Sequence, residues 1–208
     1  MKVAVFGAAG RTGHRVVTQA LAAGHQVRGL VRRAEQVEAL NLLGAEALVG
    51  DLLGEWEGVL EGVDAAVWAA GGHLDPAQYA QIDRDALIRV ADVLAQRGPR
   101  RLIVVSSMGM NRLHQMPPFM IAALEAKLAS DTHVQRGPLD WTIVRPGGLS
   151  DEAGTGRVQV APQLPRGRIS REDVAGVVVA CLETPRTVHQ TFDLLVGQQP
   201  IAEALAEL

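Results

Sequence analysis

The chain has 208 residues, a formal net charge of -3, 48% hydrophobic and 21% charged residues, a globular balance that excludes a disordered chain. No basic field is available for phosphate backbones, so nucleic acid is excluded as a partner. A lone cysteine, Cys181, excludes an internal disulfide and a cysteine-based zinc site, so no metal is expected, and the apolar runs Val3–Phe6 and Val174–Leu182 are far short of a membrane span.

The first residues begin a strand at once, without a polar-then-apolar leader, so a cytoplasmic protein is expected. Lys2–Phe6 is apolar and closed by glycine, the mark of a buried strand. Thr12–Ala23 carries Val16, Val17, Ala20 and Leu21 at helical spacing and stops at Gly24. The pattern continues with a strand over Gln26–Val31, a short helix over Ala34–Leu43, a strand over Ala47–Val49 and a helical turn over Glu55–Leu60. Asp64–Ala70 is the fourth strand, and Ala77–Gln96 is a long helix stopped by Gly98-Pro99. Arg101–Ser106 is the fifth strand, Pro118–Gln135 a second long helix closed by Gly137-Pro138, and Trp141–Val144 the sixth strand.

After Pro146 the rhythm changes. Only Arg157–Val160 is strand-like before Ser170, which caps a helix over Arg171–Leu182 with Asp173 as the acidic capping-box partner. Thr191–Val196 is a last strand and Ile201–Leu208 a last short helix. The alternation predicts an α/β fold: a Rossmann-type, doubly wound parallel sheet with a small C-terminal cap. Residues 1–208 form one domain in this reading, with 147–208 partly making the substrate-side cap.

Between the first strand and first helix runs Gly7-Ala8-Ala9-Gly10-Arg11-Thr12-Gly13. Glycines there allow a tight turn and close approach to a pyrophosphate, and the helix behind points free N–H groups and its positive dipole end at the phosphates. Ala9, Arg11 and Thr12 belong to this candidate loop with Gly7, Gly10 and Gly13. Where an NAD site carries an acid after its second strand, Val31 is followed by Arg32-Arg33, which suits a 2′-phosphate and predicts NADP, with NADPH preferred over NADH. Arg11 either stacks on the adenine or adds a third cation. Asp51, beside Leu52, either accepts from the adenine amino group or caps the next turn. Ala69-Ala70-Gly71 ends the fourth strand with small residues, against which a ribose or phosphate can lie.

Together these pieces resemble the atypical short-chain dehydrogenase/reductases, the epimerase/dehydratase-like group that includes NmrA-like regulators and biliverdin/flavin reductases. The resemblance continues through Val104-Val105-Ser106-Ser107, Leu124-Glu125-Ala126-Lys127, Leu139 to Gly147, and Ile169 to Ala175, nearly the whole chain. It implies that Lys127 binds the nicotinamide ribose. It also implies that the backbone at Ser106 and at Pro146, Gly147 and Gly148 lines the nicotinamide, and that Ser107 reaches a substrate carbonyl.

One departure bears on activity. The superfamily's tyrosine, one helical turn before the lysine, donates the proton, but here that position is Ala123. Tyr79, the chain's single tyrosine, lies on another helix and is no assumed stand-in. Other candidate donors are Ser107, His73 and His114, the last in the methionine-bearing loop Met108–Pro118 that should overhang the nicotinamide. Asp151 and Glu152 should border the crevice, either repelling an acidic substrate or forming a solvated loop.

The leading reading is an NADP(H)-dependent reductase that transfers hydride to a flavin, quinone or small carbonyl compound, with Ser107, Lys127 and His114 as candidate catalytic residues. A small-molecule acceptor is its expected partner, with no nucleic acid and no membrane. The alternative is a non-catalytic NADP(H) sensor of the NmrA-like kind, which would need a protein partner. A sugar epimerase fits less well, since it uses the absent tyrosine, and no Gly-x-Ser-x-Gly elbow supports acyl transfer.

Overall fold

A computed structural model describes residues 1–72 and 76–208. The chain runs β1 (Lys2–Phe6), α1 (Arg11–Ala22), β2 (Gln26–Val31), α2 (Glu35–Leu42), β3 (Glu46–Val49), a 3₁₀ turn (Glu57–Leu60) and β4 (Ala65–Trp68). A continuous helical stretch follows: α3 (Pro76–Gln78), a π-helical segment (Tyr79–Ala86) and α4 (Leu87–Arg97). Then come β5 (Arg101–Val105), a 3₁₀ segment (Met110–Gln115), α5 (Pro118–Arg136), β6 (Asp140–Pro146), β7 (Gly148–Ser150), β8 (Arg157–Ala161) and β9 (Arg168–Ser170). The chain ends with α6 (Arg171–Glu183), β10 (Gln190–Val196), β11 (Gln199–Pro200) and α7 (Ile201–Ala206).

Among the described residues nine strands form one sheet in the order β11-β8-β10-β6-β5-β4-β1-β2-β3. From β3 to β10 every pairing is parallel, while β8 joins β10 and β11 antiparallel. Apolar side chains alternate between the faces, as a strand buried on both sides requires. Val3, Val5, Val67 and Ile103 join the layer with α1 and α6, and Ala4, Phe6, Trp68, Leu102 and Val104 join the layer with α4. Phe6 sits edge-on to Trp56 at 5.5 Å between centroids, and 5.9 Å from Trp68. Residues 147–208 therefore supply three strands to the main sheet as well as a rim, and β7 and β9 pair separately beside it.

Three local features differ from the expectations. The long helix after β4 widens into a π-helical segment because Ser130 Oγ, on α5, donates to the Asp83 carbonyl at 2.7 Å and draws that turn open. β6 runs on through Arg145 and Pro146, which pair with Asp193 and Leu194. At the α6 cap, Ser170 Oγ accepts from the Asp173 N–H at 2.9 Å, but the Asp173 carboxylate does not close a capping box. It accepts instead from the backbone N–H groups of Thr155 at 3.0 Å and Gly156 at 2.7 Å, which ties the 151–156 loop to α6. Among the described residues no helix is long and apolar enough to cross a membrane.

Cys181 is buried on α6, and burial pushes its thiol up to about 12 against the pull of Arg101. The folded chain therefore keeps this proton while the unfolded chain releases it near pH 8.5. Stability from this group is full below pH 8.5 and falls as pH rises toward 12, by about 1.4 kcal/mol per pH unit. Urea unfolding at pH 8 to 10 should show this slope in the wild type and not in Cys181→Ala. A thiol reagent at pH 8 should leave the folded protein unmodified and label one thiol after unfolding.

Candidate functional site

The crevice begins where β1 ends. Gly7 has φ +80° and its carbonyl accepts from Gly10 N–H at 2.8 Å. A Cβ on Gly13 would stand 2.1 Å from the Gly7 oxygen, and one on Gly7 would stand 2.7 Å from the Ala70 nitrogen. The loop thus lies on the end of β4 at a clearance no side chain permits. α1 starts behind it with Gly10 as an N-cap that offers no side chain and with no acid in the first turn. Its first amides and positive dipole end face the loop without a protein anion among them, which fits a pyrophosphate.

Arg32 and Arg33 follow β2 and are exposed. Their backbone N–H groups donate to Gln36 Oε1 at 3.1 and 3.2 Å, which fixes the turn and leaves the guanidinium groups outward. Arg33 Nε is 3.9 Å from an exposed Glu35 carboxylate, and Arg32 has no ion pair among the described residues. Arg11 does not join them. It pairs with Asp151, which also holds Arg171 at 3.0 Å and Arg15 at 3.5 Å. Asp151 is therefore neutralised, and its expected repulsion of an acidic substrate does not follow. Burial, with the charges of Arg11 and Arg15, holds the Arg171 guanidinium below its usual range.

Asp51 caps its own turn: Oδ1 accepts from the Leu53 N–H at 2.9 Å. Leu52 turns its side chain into the core beside Trp56, so only its backbone is open to a ligand. Ala69 and Ala70 are half-buried and Gly71 is exposed at the end of β4, while Ala9 is exposed and Thr12 half-buried at the loop.

Deeper in the crevice two ion pairs occupy successive turns of α5. Lys127 Nζ lies 2.6 Å from Asp83 Oδ1, with side chains 20% and 2% exposed. Asp83 also accepts from the Gly72 N–H at 2.8 Å, and a Cβ on Gly71 would be 4.0 Å from Lys127 Nζ. The lysine head therefore sits at the carboxyl end of β4. One turn on, Asp131 Oδ2 accepts from Ser106 Oγ at 2.9 Å and from Arg145 Nη2 at 3.0 Å and Nε at 3.1 Å. Burial pushes the Asp131 carboxyl up, while Arg145 and Ser106 pull it down, and its Oδ1 has no partner among the described residues. Sequence reasoning misses Asp83 and Asp131. Its available signal was a charged residue at a buried helical position, four residues after Lys127 for Asp131.

Ser107 is half-buried and its hydroxyl makes only a local contact of 3.3 Å to the Met108 carbonyl, so it is free to turn toward a ligand. The N–H groups of Gly147 and Gly148 already bond Leu194 O at 3.0 Å and Gly167 O at 2.9 Å, so this turn can line a ligand by shape but not by these donors. His114 is exposed, 3.1 Å from Gln115 Nε2, and is not brought near Lys127 by any bond. His73 lies outside the described residues. Met108 packs with Leu164 and Leu195, and Met110 is buried, so these two methionines fill the core and do not face an acceptor. Arg112 reaches Leu164 O at 2.9 Å and Arg166 reaches Gln115 O, which pins the overhanging loop to the 162–167 segment. Among the described residues no cluster of His, Cys, Asp or Glu could hold a metal ion.

Removing one member of a buried pair strands the other. Asp131→Ala should cost about 3 kcal/mol in urea unfolding, the low end for such pairs because Arg145 keeps some contact with water. Arg33→Ala, on the exposed turn, should stay within about 0.5 kcal/mol.

The comparisons agree with this geometry. The NAD(P)H-binding family profile matches residues 7–185. The chain is 36% identical over 214 residues to the uncharacterized sugar epimerase YhfK of Bacillus subtilis, covering all of both chains. A candidate NAD-dependent epimerase/dehydratase of Bacillus halodurans superposes with a TM-score of 0.96 at 35% identity, again over all of both chains. ChuY, an anaerobillin reductase of Escherichia coli O157:H7, superposes with a TM-score of 0.80 at 27% identity, over 94% of this chain and 97% of that one. A nicotinamide cofactor, a glycine cradle and an uncapped first helix belong together, and the chain belongs to the NAD(P)H-binding family, in its epimerase/dehydratase-like, atypical short-chain dehydrogenase/reductase group.

Proposed function

We propose that this protein is an NADPH-dependent reductase that delivers hydride to a flavin, a quinone or a small carbonyl compound. The observation that carries the reading is Lys127, held by Asp83 at 2.6 Å beside Gly71, with the Ser107 hydroxyl just past the end of β5 making only a local contact. A nicotinamide bound with its ribose on that lysine supplies the hydride.

The amides behind Gly10 hold the pyrophosphate, and Arg32 and Arg33 take the 2′-phosphate, each planar guanidinium fork able to bond two of its oxygens. No carboxylate stands at the end of β2 to bond a free 2′-hydroxyl. Lys127 orients the ribose, and Ser107 donates to the acceptor. The loop over Met110–Gln115, pinned by Arg112 and Arg166, shelters the reacting atoms from water. The likeness to ChuY supports a reductase, and Ala123, where an epimerase uses a tyrosine, weighs against the epimerase for which YhfK is named. Ala123 favours a second reading, a non-catalytic NADP(H) sensor working through a protein partner, because α5 lacks the usual hydroxyl.

Binding of NADPH and NADH, side by side at fixed salt, tests the cofactor. NADPH should bind at least tenfold more tightly, and Arg32→Ala/Arg33→Ala should weaken NADPH by about 10–100-fold, as two charge-assisted contacts imply, and leave NADH unchanged. Equal affinities would remove the arginine argument. NADPH oxidation with flavins, quinones, aldehydes and ketones tests the activity. Tight binding without oxidation in any of them replaces the reductase with the sensor.

A further inference from the structure

α5 offers no hydroxyl one turn before Lys127, where Ala123 stands. The neighbouring helical stretch has one at the same level. Tyr79 begins the π-helical segment, four residues before Asp83, and Asp83 is the residue that binds Lys127. Both helical stretches leave a strand of the same parallel sheet, β4 and β5, and return to the next strand on the same face, so they run side by side in the same direction. One turn back from the Asp83–Lys127 contact on each therefore puts Tyr79 and Ala123 at about the same level of the two helices.

The strand end carries the same message. A Cβ on Gly72 would come within 2.9 Å of Tyr79 Cδ1 and 3.0 Å of Asp83 Oδ2, and one on Gly71 within 4.0 Å of Lys127 Nζ. The ring and the lysine head thus flank two consecutive residues at the carboxyl end of β4. Tyr79 is 8% exposed and shares the buried side of its segment with Asp83 and Ala86. Its hydroxyl makes no hydrogen bond to any of the described residues.

We infer that Tyr79 is a catalytic residue that supplies from the adjacent helix the proton-donating hydroxyl missing at Ala123. The inference rests on the reductase reading. With a carbonyl acceptor, hydride from NADPH adds to the carbonyl carbon as the C=O π bond breaks. The oxygen takes the Tyr79 proton, giving an alcohol and NADP⁺, and the tyrosinate regains a proton from water.

The test compares wild type, Tyr79→Phe and Tyr79→Phe/Ala123→Tyr with a panel of aldehydes, ketones and quinones. Tyr79→Phe keeps the ring and should lower kcat by about 10²–10⁴, with NADPH affinity within twofold. Returning the hydroxyl from α5 in the double variant should recover at least tenfold, which repair of a purely structural defect would not do. A second readout needs no turnover. Because Tyr79 is the single tyrosine, 3-fluorotyrosine labelling gives one ¹⁹F resonance. That resonance should move when NADP⁺ saturates the protein, followed in parallel by tryptophan fluorescence. Wild-type turnover that Tyr79→Phe leaves intact overturns the inference and spares the reductase reading. A stationary resonance at NADP⁺ saturation overturns it as well. Wild type that binds NADPH but reduces nothing overturns the reductase reading, and the catalytic role falls with it.

Discussion

No room exists for a side chain where the first helix meets the first strand. The Gly13 Cα is so close to the Gly7 carbonyl that an added Cβ would sit at 2.1 Å from its oxygen. That clearance lets α1 start immediately behind β1, with its dipole aimed along the crevice. The same loop touches Ala69 and Ala70, so the contact also fixes the gap between β1 and β4. These two strands are neighbours at the point where strand order reverses, the place where an open α/β sheet leaves a ligand crevice. The packing of α6 on α1, through buried residues such as Val16, Val17, Val174 and Val178, then hangs the C-terminal strands on the same helix.

At the other end, geometry is held by charge. Lys127 with Asp83 and Arg145 with Asp131 place two buried carboxylates under the floor of the crevice. Burying such pairs costs about as much desolvation as their attraction returns, so they add little net stability. What they supply is position. Asp83 takes the Gly72 N–H and Lys127 together, so the end of β4 and the lysine head cannot drift apart without exposing a carboxylate. Asp131 does the same for Ser106, just after β5, and Arg145 on β6. Each carboxylate binds one strand end to one helix, and the crevice floor is the sum of these ties.

The parallel sheet was legible because its signal is local and repeated. Apolar runs such as Lys2–Phe6 and Arg101–Val105, with glycine stops after each helix, leave little freedom in the fold, and Ser170 announced α6. The β7 and β9 pair was not legible, since three residues carry no period. Nor was the π-helical segment, which depends on a hydroxyl from Ser130, far along the chain. At the site, the glycine loop and Lys127 could be picked out by motif. Asp83, Asp131 and the place of Tyr79 could not, because their meaning comes only from which helix faces which. The packing of Met108 on Leu164 and Leu195, and of Leu52 beside Trp56, is likewise set by distant parts of the chain.

Charge also sorts the two sides of the crevice. The chain as a whole is -3, yet Arg11, Arg15 and Arg171 converge on Asp151 near the glycine loop, with Glu172 bonded to Arg15. These arginines are thus held together by carboxylates beside the uncapped start of α1. Arg32 and Arg33 lie exposed just after β2. By contrast, the carboxylates Asp83 and Asp131 are buried and paired with Lys127 and Arg145. Partly screened pairs at the surface add little to folding, so the arginine cluster on Asp151 is not a main source of stability. Arg11 is the member to watch. It opens α1 behind the glycine loop, and with Arg15 it reaches Asp151 in the segment after β7, so α1 and that segment are joined by surface ion pairs.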